Sequence, residues 1–201
     1  SITIVSADYA ENISAVYTNV HVEMDVTAPE SALIIDGSAV TNFSSGIIYV
    51  SSYYSKLTID APDNLSGVNR IEYRINSNTI NIYDMFIPTT NSGLKILDIR
   101  AVDNANNTED WKTYILYNDT EPPVTTYSIN GVSKLNNGIL YISTNTFISL
   151  NAEDSGVGIK NIYYSTDNEN WNVYSSTLNF TNADINKFYY KSADLLTNIG
   201  S

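Results

Sequence analysis

Acidic residues in short polar turns are the side chains of this sequence whose type and spacing could support chemistry. "DNLSGV" contains Asp63 and "EDSGVG" contains Asp154, 91 residues further along the chain. Clustered carboxylate oxygens are the ligands that hard cations such as Ca²⁺ prefer. In the structural alternative, each Asp only accepts hydrogen bonds from its own turn, as Asp often does. Both interpretations stay open at this point.

The residues that enzymes use for nucleophilic or acid–base catalysis are almost missing. The chain has no Cys, and its only His, His21, alternates with Val20 and Val22 in a pattern typical of an exposed strand histidine rather than a catalytic base. No nucleophile elbow, glycine-rich phosphate loop or zinc-ligand spacing occurs in the sequence. We therefore expect a protein that is not an enzyme.

Composition narrows the classes of protein and of partner. Asp and Glu number 22 against 10 Lys and Arg, which gives the 201-residue chain a net charge of -12. This acid excess argues against nucleic-acid binding, which needs clustered cationic side chains. No apolar run reaches the length of a membrane span. Sixteen Tyr with abundant Ser, Thr and Asn predict strands and turns, and thus an all-β protein.

Four phrases recur along the chain with a period near 92 residues. Asp8, Asp103 and Asp194 occupy the same place in three versions of one phrase. The matching phrases are "SADYAEN" (6–12), "AVDNANN" (101–107) and "SADLLTN" (192–198); "DVTAPE" (25–30) and "NDTEPP" (118–123); "GIIYVS" (46–51) and "GILYIS" (138–143); and the two acidic turns. A repeat of this length has the size of an immunoglobulin-like domain.

Within the repeat, short alternating segments separated by turn residues predict seven strands. They are "SALIID" (31–36), "GIIYVS" (46–51), "SKLTIDA" (55–61), "VNRIEYRI" (68–75), "TINIYDMFI" (79–87), "LKILDIRAV" (94–102) and "DWKTYILY" (110–117). The predicted fold is therefore all-β, with tandem immunoglobulin-like β-sandwich domains.

The predicted domains are one complete unit and two partial ones. Residues 1–26 match the last two strands of a preceding unit, 27–117 form a complete domain, and 118–201 form a domain without its final strand. One interpretation is a piece of a longer array. The other is donor-strand complementation, in which "SAVYTNVHVEMDV" (14–26) completes the open sandwich of a neighbouring subunit and builds a filament.

The phrases "PVTTYSINGV", "LNAEDSGVGIKNIYYSTDNENWNVY" and "IRAVDNANN" resemble the prokaryotic Ig-like tandem repeats of large extracellular surface proteins, including spirochaete outer-membrane adhesins. The resemblance covers essentially the whole chain. It implies an extracellular, cell-surface or secreted spacer or adhesin part, and it supplies no catalytic residue. Glu11, Asn106 and Thr197 stand where that family usually has a hairpin Gly, so we expect strained left-handed turns there.

In such a sandwich, two loops of each unit lie at the end next to the preceding linker. This arrangement would gather Asp63 and Asp103 with the linker acids Asp25 and Glu30. In the following unit, it would gather a second set of four acids, namely Asp154, Asp194, Asp119 and Glu121. The sequence therefore predicts a Ca²⁺ site at each junction, because four clustered acids repel one another without a cation.

Two further kinds of surface site are suggested by the sequence. Trp111 and Trp171, with nearby Tyr residues, would suit a sugar-stacking platform, although a Trp on a strand more often covers a core. Asparagine glycosylation motifs occur at Asn12, Asn42, Asn64, Asn106, Asn118 and Asn179.

The sequence as a whole predicts a non-enzymatic extracellular structural protein, a stalk, surface layer or filament. Its partners would be copies of itself or neighbouring Ig-like repeats joined head to tail. The alternative is a binding module: an adhesin for host matrix or glycans, or an accessory domain of a secreted enzyme.

Overall fold

The computed structural model describes residues 2–4, 7–13, 17–42, 44–181 and 187–201, and all regular structure within them is β. These residues include no helix long and apolar enough to cross a membrane. The first eight strands are β1 (Ile2–Ile4), β2 (Tyr17–Val20), β3 (Ala32–Asn42), β4 (Ile47–Asp60), β5 (Val68–Ile75), β6 (Asn81–Ile82), β7 (Gly93–Asp103) and β8 (Lys112–Asn118).

The remaining strands follow after the second linker. They are β9 (Val124–Asn130), β10 (Ser133–Asn136), β11 (Ile139–Ile142), β12 (Phe147–Glu153), β13 (Ile159–Ser165), β14 (Asn172–Val173), β15 (Leu178–Asn179), β16 (Tyr189–Asp194) and β17 (Ile199–Gly200).

The first unit is a six-stranded sheet with the order β3-β4-β8-β7-β5-β6. Strand β4 pairs antiparallel with β3, and its first four residues, Ile47–Val50, pair in parallel with Ile115–Asn118 of β8. The segments 46–51 and 55–61, predicted as two strands, are therefore both part of one 14-residue strand. Seven buried apolar side chains form the core of this unit: Val50, Leu57, Ile59, Ile87, Leu97, Ile99 and Leu116.

The predicted strand at 79–87 is much shorter than its sequence suggests. Only Asn81–Ile82 pair with β5, and Ile87 forms an isolated bridge to Leu57. The alternation predicted for 55–61 is confirmed, since Leu57 and Ile59 are buried while Lys56 and Asp60 are exposed.

The second unit repeats these elements as separate sheets. Strands β15-β12-β9 form one sheet, β14-β13-β16-β17 form another, and β10-β11 form a hairpin of their own. β5 begins at Val68 and β13 at Ile159, 91 residues later, while β11 begins 92 residues after Ile47 of β4. The all-β class is confirmed, and facing sheets of this kind are compatible with a β-sandwich.

The N-terminal segment contains the hairpin of β1 and β2, with Ile4 paired to Tyr17 and Ile2 to Val20. The strand suggested by the alternation of Val20, His21 and Val22 does not extend through these residues, because β2 ends at Val20 and residues 21–31 adopt no strand. His21 is exposed, as predicted. Part of the candidate donor segment 14–26, residues 14–16, lies outside the described residues.

The three hairpin positions that depart from glycine adopt the left-handed conformation. Their φ angles are 64° at Glu11, 68° at Asn106 and 73° at Thr197. This confirms that the backbone requirement of the turn is kept even where the side chain disfavours it.

Candidate metal centres

Two groups of three aspartates meet at the two linkers. The first triad is Asp25, Asp63 and Asp103, and the second triad is Asp119, Asp154 and Asp194. In each triad, one carboxylate oxygen from every member lies within 4.8 Å of the other two. Each triad combines one linker residue with two residues of the following unit: an aspartate of an acidic turn, and the last residue of a strand, Asp103 of β7 or Asp194 of β16.

The acidic turns hold their aspartates through backbone amides. Asp154 Oδ2 accepts hydrogen bonds from the Gly156 and Gly158 N–H groups, at 3.0 and 2.7 Å. Asp63 Oδ2 accepts the equivalent pair from Leu65 and Gly67, at 3.1 and 2.7 Å. The prediction that each Asp accepts hydrogen bonds from its own turn is therefore correct for one carboxylate oxygen of Asp63 and one of Asp154.

The other oxygen of each turn aspartate is available for a different partner. Asp63 Oδ1 and Asp154 Oδ1 are shielded from solvent, yet neither accepts a hydrogen bond from any residue in the described ranges. A buried carboxylate oxygen without a donor is costly, because it has lost its hydration without compensation. A cation bound among the three carboxylates would supply the missing interaction.

The hairpin aspartates are held by an asparagine four residues later. Asn198 donates to Asp194 through its backbone N–H and its side-chain amide, at 2.9 and 2.7 Å. The same side-chain amide also reaches the carbonyl oxygen of Asp119 in the linker, at 3.3 Å. Asn107 makes the same bonds to Asp103 and to the carbonyl of Asp25 in the first triad. This asparagine ties each hairpin to its linker, and it is the last residue of both "AVDNANN" (101–107) and "SADLLTN" (192–198).

The linker aspartates bond to the acidic turns. Asp119 Oδ2 accepts the Val157 N–H at 2.6 Å, and Asp25 Oδ2 accepts the Ser66 N–H at 2.9 Å. In the second triad, the approach is so close that a side chain at Gly156 would collide with the Asp119 carboxylate.

The two linker carboxyls titrate differently. Burial raises the pKa of Asp119, and the nearby charges of Asp154 and Asp194 raise it further. Hydrogen bonds from Ser66, together with the Thr27 backbone N–H, lower the pKa of Asp25 to about 2. Asp119 is fully buried between two units, whereas the linker at Asp25 is more open to solvent. Three ionised aspartates are therefore less favourable in the second triad than in the first.

The predicted linker glutamates are not part of either group. Glu30 and Glu121 are both exposed and fall outside the triads found among the described residues. The Glu121 N–H donates to Asp119 Oδ1 at 3.2 Å, so this residue contributes backbone rather than carboxylate to the site. Six of the eight predicted acids therefore come together, three at each junction.

Cationic side chains cover both tryptophans. The guanidinium carbons of Arg74 and Arg100 lie 4.5 and 4.3 Å from the ring centroid of Trp111. Lys191 Nζ lies 3.8 Å from that of Trp171. These are cation–π contacts, and they occupy ring surface that a sugar would need.

A buried ionic network beneath Trp111 was not anticipated from the sequence. Glu72 is buried between Arg70 and Arg100, with nitrogen–oxygen distances of 2.6 and 2.7 Å. Asp98 is likewise buried and pairs with Arg74 at 2.8 Å. The signal was the alternation of Arg70, Glu72 and Arg74 on one face of β5, which by itself is also typical of a solvent-exposed face.

The glycosylation motifs differ in accessibility. Asn12, Asn64, Asn106 and Asn179 are exposed, and the side chain of Asn42 is outside the described part of the structure. Asn118 is fully buried, and its amide donates to the Asn91 carbonyl at 2.9 Å. A glycan at Asn118 is incompatible with this packing.

Searches for relatives bring no further information on the site: no protein-family model matches the chain, and no curated protein is significantly similar to it.

Proposed function

We propose that this protein is a non-enzymatic, extracellular structural protein whose tandem Ig-like units are joined by calcium at each linker. The observation that supports this most is the repetition of the aspartate triad. Both linkers contribute one aspartate to a group completed by an acidic turn and a strand end of the next unit. Because the repeat preserves the linker residue as well as the turn and the strand end, the feature belongs to the junction between units.

Calcium suits these triads better than other common cations. Three carboxylates and nearby linker carbonyls offer only oxygen, and the protein has no Cys and a single exposed His. A bound Ca²⁺ would neutralise most of the repulsion and fix the linker against the turn and the strand end. A stalk or surface layer needs such rigidity, since relative motion of linked domains is otherwise expected.

The extracellular setting is the part of the proposal that comes from the resemblance. Millimolar calcium is compatible with weak sites of this type in extracellular modules, where binding in the range of about 10⁻⁴–10⁻³ M is typical. The glycan-binding alternative lacks a supporting observation, because Arg74, Arg100 and Lys191 lie over the tryptophan rings.

Thermal and urea unfolding with calcium or with a chelator test this proposal. We expect calcium to stabilise the chain by about 2.7 kcal/mol per site at 100 times the dissociation constant. Asp154→Asn and Asp63→Asn are suitable variants, because an Asn oxygen still accepts the two turn N–H bonds while its NH₂ replaces the unpaired oxygen. Each should lose the contribution of one site and leave stability in chelator nearly unchanged.

Glu121→Gln provides the matched control, since it removes an exposed acid beside the second triad. It should leave the calcium response intact. Equal stability of the wild-type chain in calcium and in chelator would rule out the proposed role, as would an undiminished calcium response in the Asp63→Asn/Asp154→Asn double variant.

A further inference from the structure

The sheet of the first unit has an outer face that turns away from its core. Along β7, Leu97 and Ile99 point into the core, so Leu94 and Ile96 lie on the opposite face. Leu94 is 55% exposed and Ile96 is 40% exposed, and Ile115 of β8, which pairs with Ile96, is 38% exposed. Apolar side chains therefore lie where an antiparallel sheet that faces water normally carries polar ones.

Strand β4 extends this apolar surface across the sheet. Its residues Ile47 and Tyr49 pair in parallel with Ile115 and Tyr117 of β8, and the rings of the two tyrosines lie 5.5 Å apart. We call the apolar patch the six outward-facing side chains of these three strands: Ile47, Tyr49, Leu94, Ile96, Ile115 and Tyr117. A contiguous patch of this kind on a soluble protein is typical of an interaction site.

The same face carries all three arginines of the chain beside the apolar patch. Arg70 and Arg74 of β5 and Arg100 of β7 pair with Glu72 and Asp98, and their side chains remain 25–37% exposed. Three cationic groups against two carboxylates leave this region slightly positive, whereas the whole chain has a net charge of -12. Two copies of so acidic a chain therefore repel each other least when they meet through this face.

The fold itself does not require this face, because the second unit does not repeat it. With the offset of 91 residues that relates β5 to β13, Ile96 corresponds to the exposed Lys187, and Arg74 corresponds to Ser165. The aspartate triads, in contrast, recur in both units. The apolar patch and the arginines are thus a property of the first unit rather than of the repeat.

The face is large enough for a specific contact between two proteins. Strands β4, β8, β7 and β5 lie side by side in it, and β8 and β5 are seven and eight residues long. A strand spacing of about 4.8 Å and a rise of about 3.4 Å per residue give a flat area of roughly 450 Å². Side-chain relief brings the accessible area above this value, toward the about 800 Å² per partner that specific interfaces bury.

We propose that two copies of the chain associate through this face, with their sheets packed face to face. The two-fold axis crosses β7 and β8 near Ile96 and Ile115, which makes each β8 antiparallel to its copy and lays one apolar patch on the other. The arginines of each copy then lie toward the second linker of the other copy, whose Glu121 is exposed. The contact has an apolar centre and a charged rim, and its symmetry closes it as a dimer.

This contact goes beyond the proposed function, because it joins two arrays sideways rather than two units within one array. A surface layer needs lateral contacts of this kind in addition to rigid linkers. None of the aspartates of the two triads belongs to the face. The association is therefore measured in chelator, where a failure of the calcium proposal leaves the result unaffected.

The first test is the molar mass of the full chain, by sedimentation equilibrium over a range of concentrations. We expect the mass to rise with concentration from the 22.3 kDa of the monomer to twice that value and no further. Ile96→Lys/Ile115→Thr should raise the Kd of the dimer by at least about tenfold, because it removes apolar contacts from the centre of the interface.

Both replacements suit a strand, since the second unit has Lys187 at the position of Ile96 and Thr is a good strand former. Thermal unfolding at low concentration should show that the monomer of this variant is as stable as the wild type. Met85→Lys/Phe86→Thr is the matched control, because it changes two exposed apolar residues that lie after β6 and outside the face. This variant should dimerise as the wild type does.

Single cysteines test the position of the axis. The chain has no Cys, and a thiol near the two-fold axis meets the same thiol of the other copy. At a concentration where the wild type is half dimeric, Ile115→Cys should therefore form a disulfide-linked dimer faster than Met85→Cys. Exposure alone predicts the reverse order, since Met85 is 66% exposed.

A chain that is monomeric at every concentration would overturn the proposal and leave the face to a different macromolecule. A dimer that Ile96→Lys/Ile115→Thr forms as readily as the wild type would also overturn it. Faster oxidation of Met85→Cys than of Ile115→Cys, or growth beyond the dimer, would contradict the closed two-fold arrangement.

Discussion

Single residues carry measurable strain at the hairpins next to the triads. Thr197 is an exposed β-branched residue with a φ of 73°, a conformation that costs a non-glycine residue about 1–2 kcal/mol. Thr197→Gly should therefore stabilise the chain by about 0.5–1 kcal/mol, after the greater backbone entropy of glycine is subtracted. Urea unfolding measures this difference.

Asn106→Gly is the matched comparison, because Asn tolerates the left-handed region better than Thr. Its stability should change by less than that of Thr197→Gly. A loss of stability in Thr197→Gly, or an equal gain in both variants, would contradict the assignment of strain to the side chain at this position.

The raised pKa of Asp119 gives the calcium response a pH dependence. In chelator, a raised folded-state pKa means that ionised Asp119 destabilises the fold above that pKa, and this penalty disappears as pH falls through it toward about 4. Protonation also competes with the cation. Stabilisation by calcium at the second triad should therefore weaken as the pH is lowered toward the raised pKa of Asp119.

The first triad provides the contrast for this experiment. Asp25, with its pKa lowered to about 2, stays ionised over the same range. Asp63→Asn, which keeps only the second triad, should thus lose its calcium response at a higher pH than Asp154→Asn, which keeps only the first. The reverse order, measured by unfolding at pH 7, 6 and 5, would contradict the account.

At the scale of elements, Glu109 joins three strands of the first unit. Its carboxylate accepts the Ser31 N–H before β3 and the Ala101 N–H of β7, and it pairs with Lys112 of β8 at 2.6 Å. Glu109→Ala leaves these donors without an acceptor and should cost about 2 kcal/mol in the free energy of unfolding. Glu121→Ala, at an exposed site, should stay within about 0.5 kcal/mol of the wild type. Equal losses of stability in the two variants would contradict a structural role for the Glu109 carboxylate.

Strand positions were largely predictable where side chains alternate, and β5, β7 and β8 lie within two residues of their predicted ends. The continuity of β4 was not predictable, because "SSYYS" (51–55) lacks a clear apolar alternation. In the structure, β4 stays extended here because it pairs with β3 on both sides of the irregularity between Gly37 and Ala39. The predicted strand at 79–87 fails for the opposite reason: its alternation is good, but only Asn81–Ile82 find a partner strand.

For the molecule as a whole, the repeat period was enough to place the six aspartates in two groups. It was not enough for Glu30 and Glu121, since side-chain direction in a linker depends on local bonds such as that from the Glu121 N–H to Asp119. The burial of the two acids Glu72 and Asp98 was also not predictable from the sequence, because a charged face becomes buried only once Trp111 and the arginines cover it. Packing between elements, rather than local pattern, decides such cases.

Direct calcium binding tests the central claim most simply, by isothermal titration of the chelator-treated chain. The account predicts saturable binding with two ions per chain, one ion in either Asp63→Asn or Asp154→Asn, and none in the double variant. Magnesium should bind more weakly, since it demands a tighter octahedral arrangement and retains its water. The absence of saturable calcium binding at millimolar concentrations, or binding that both variants retain in full, would contradict it.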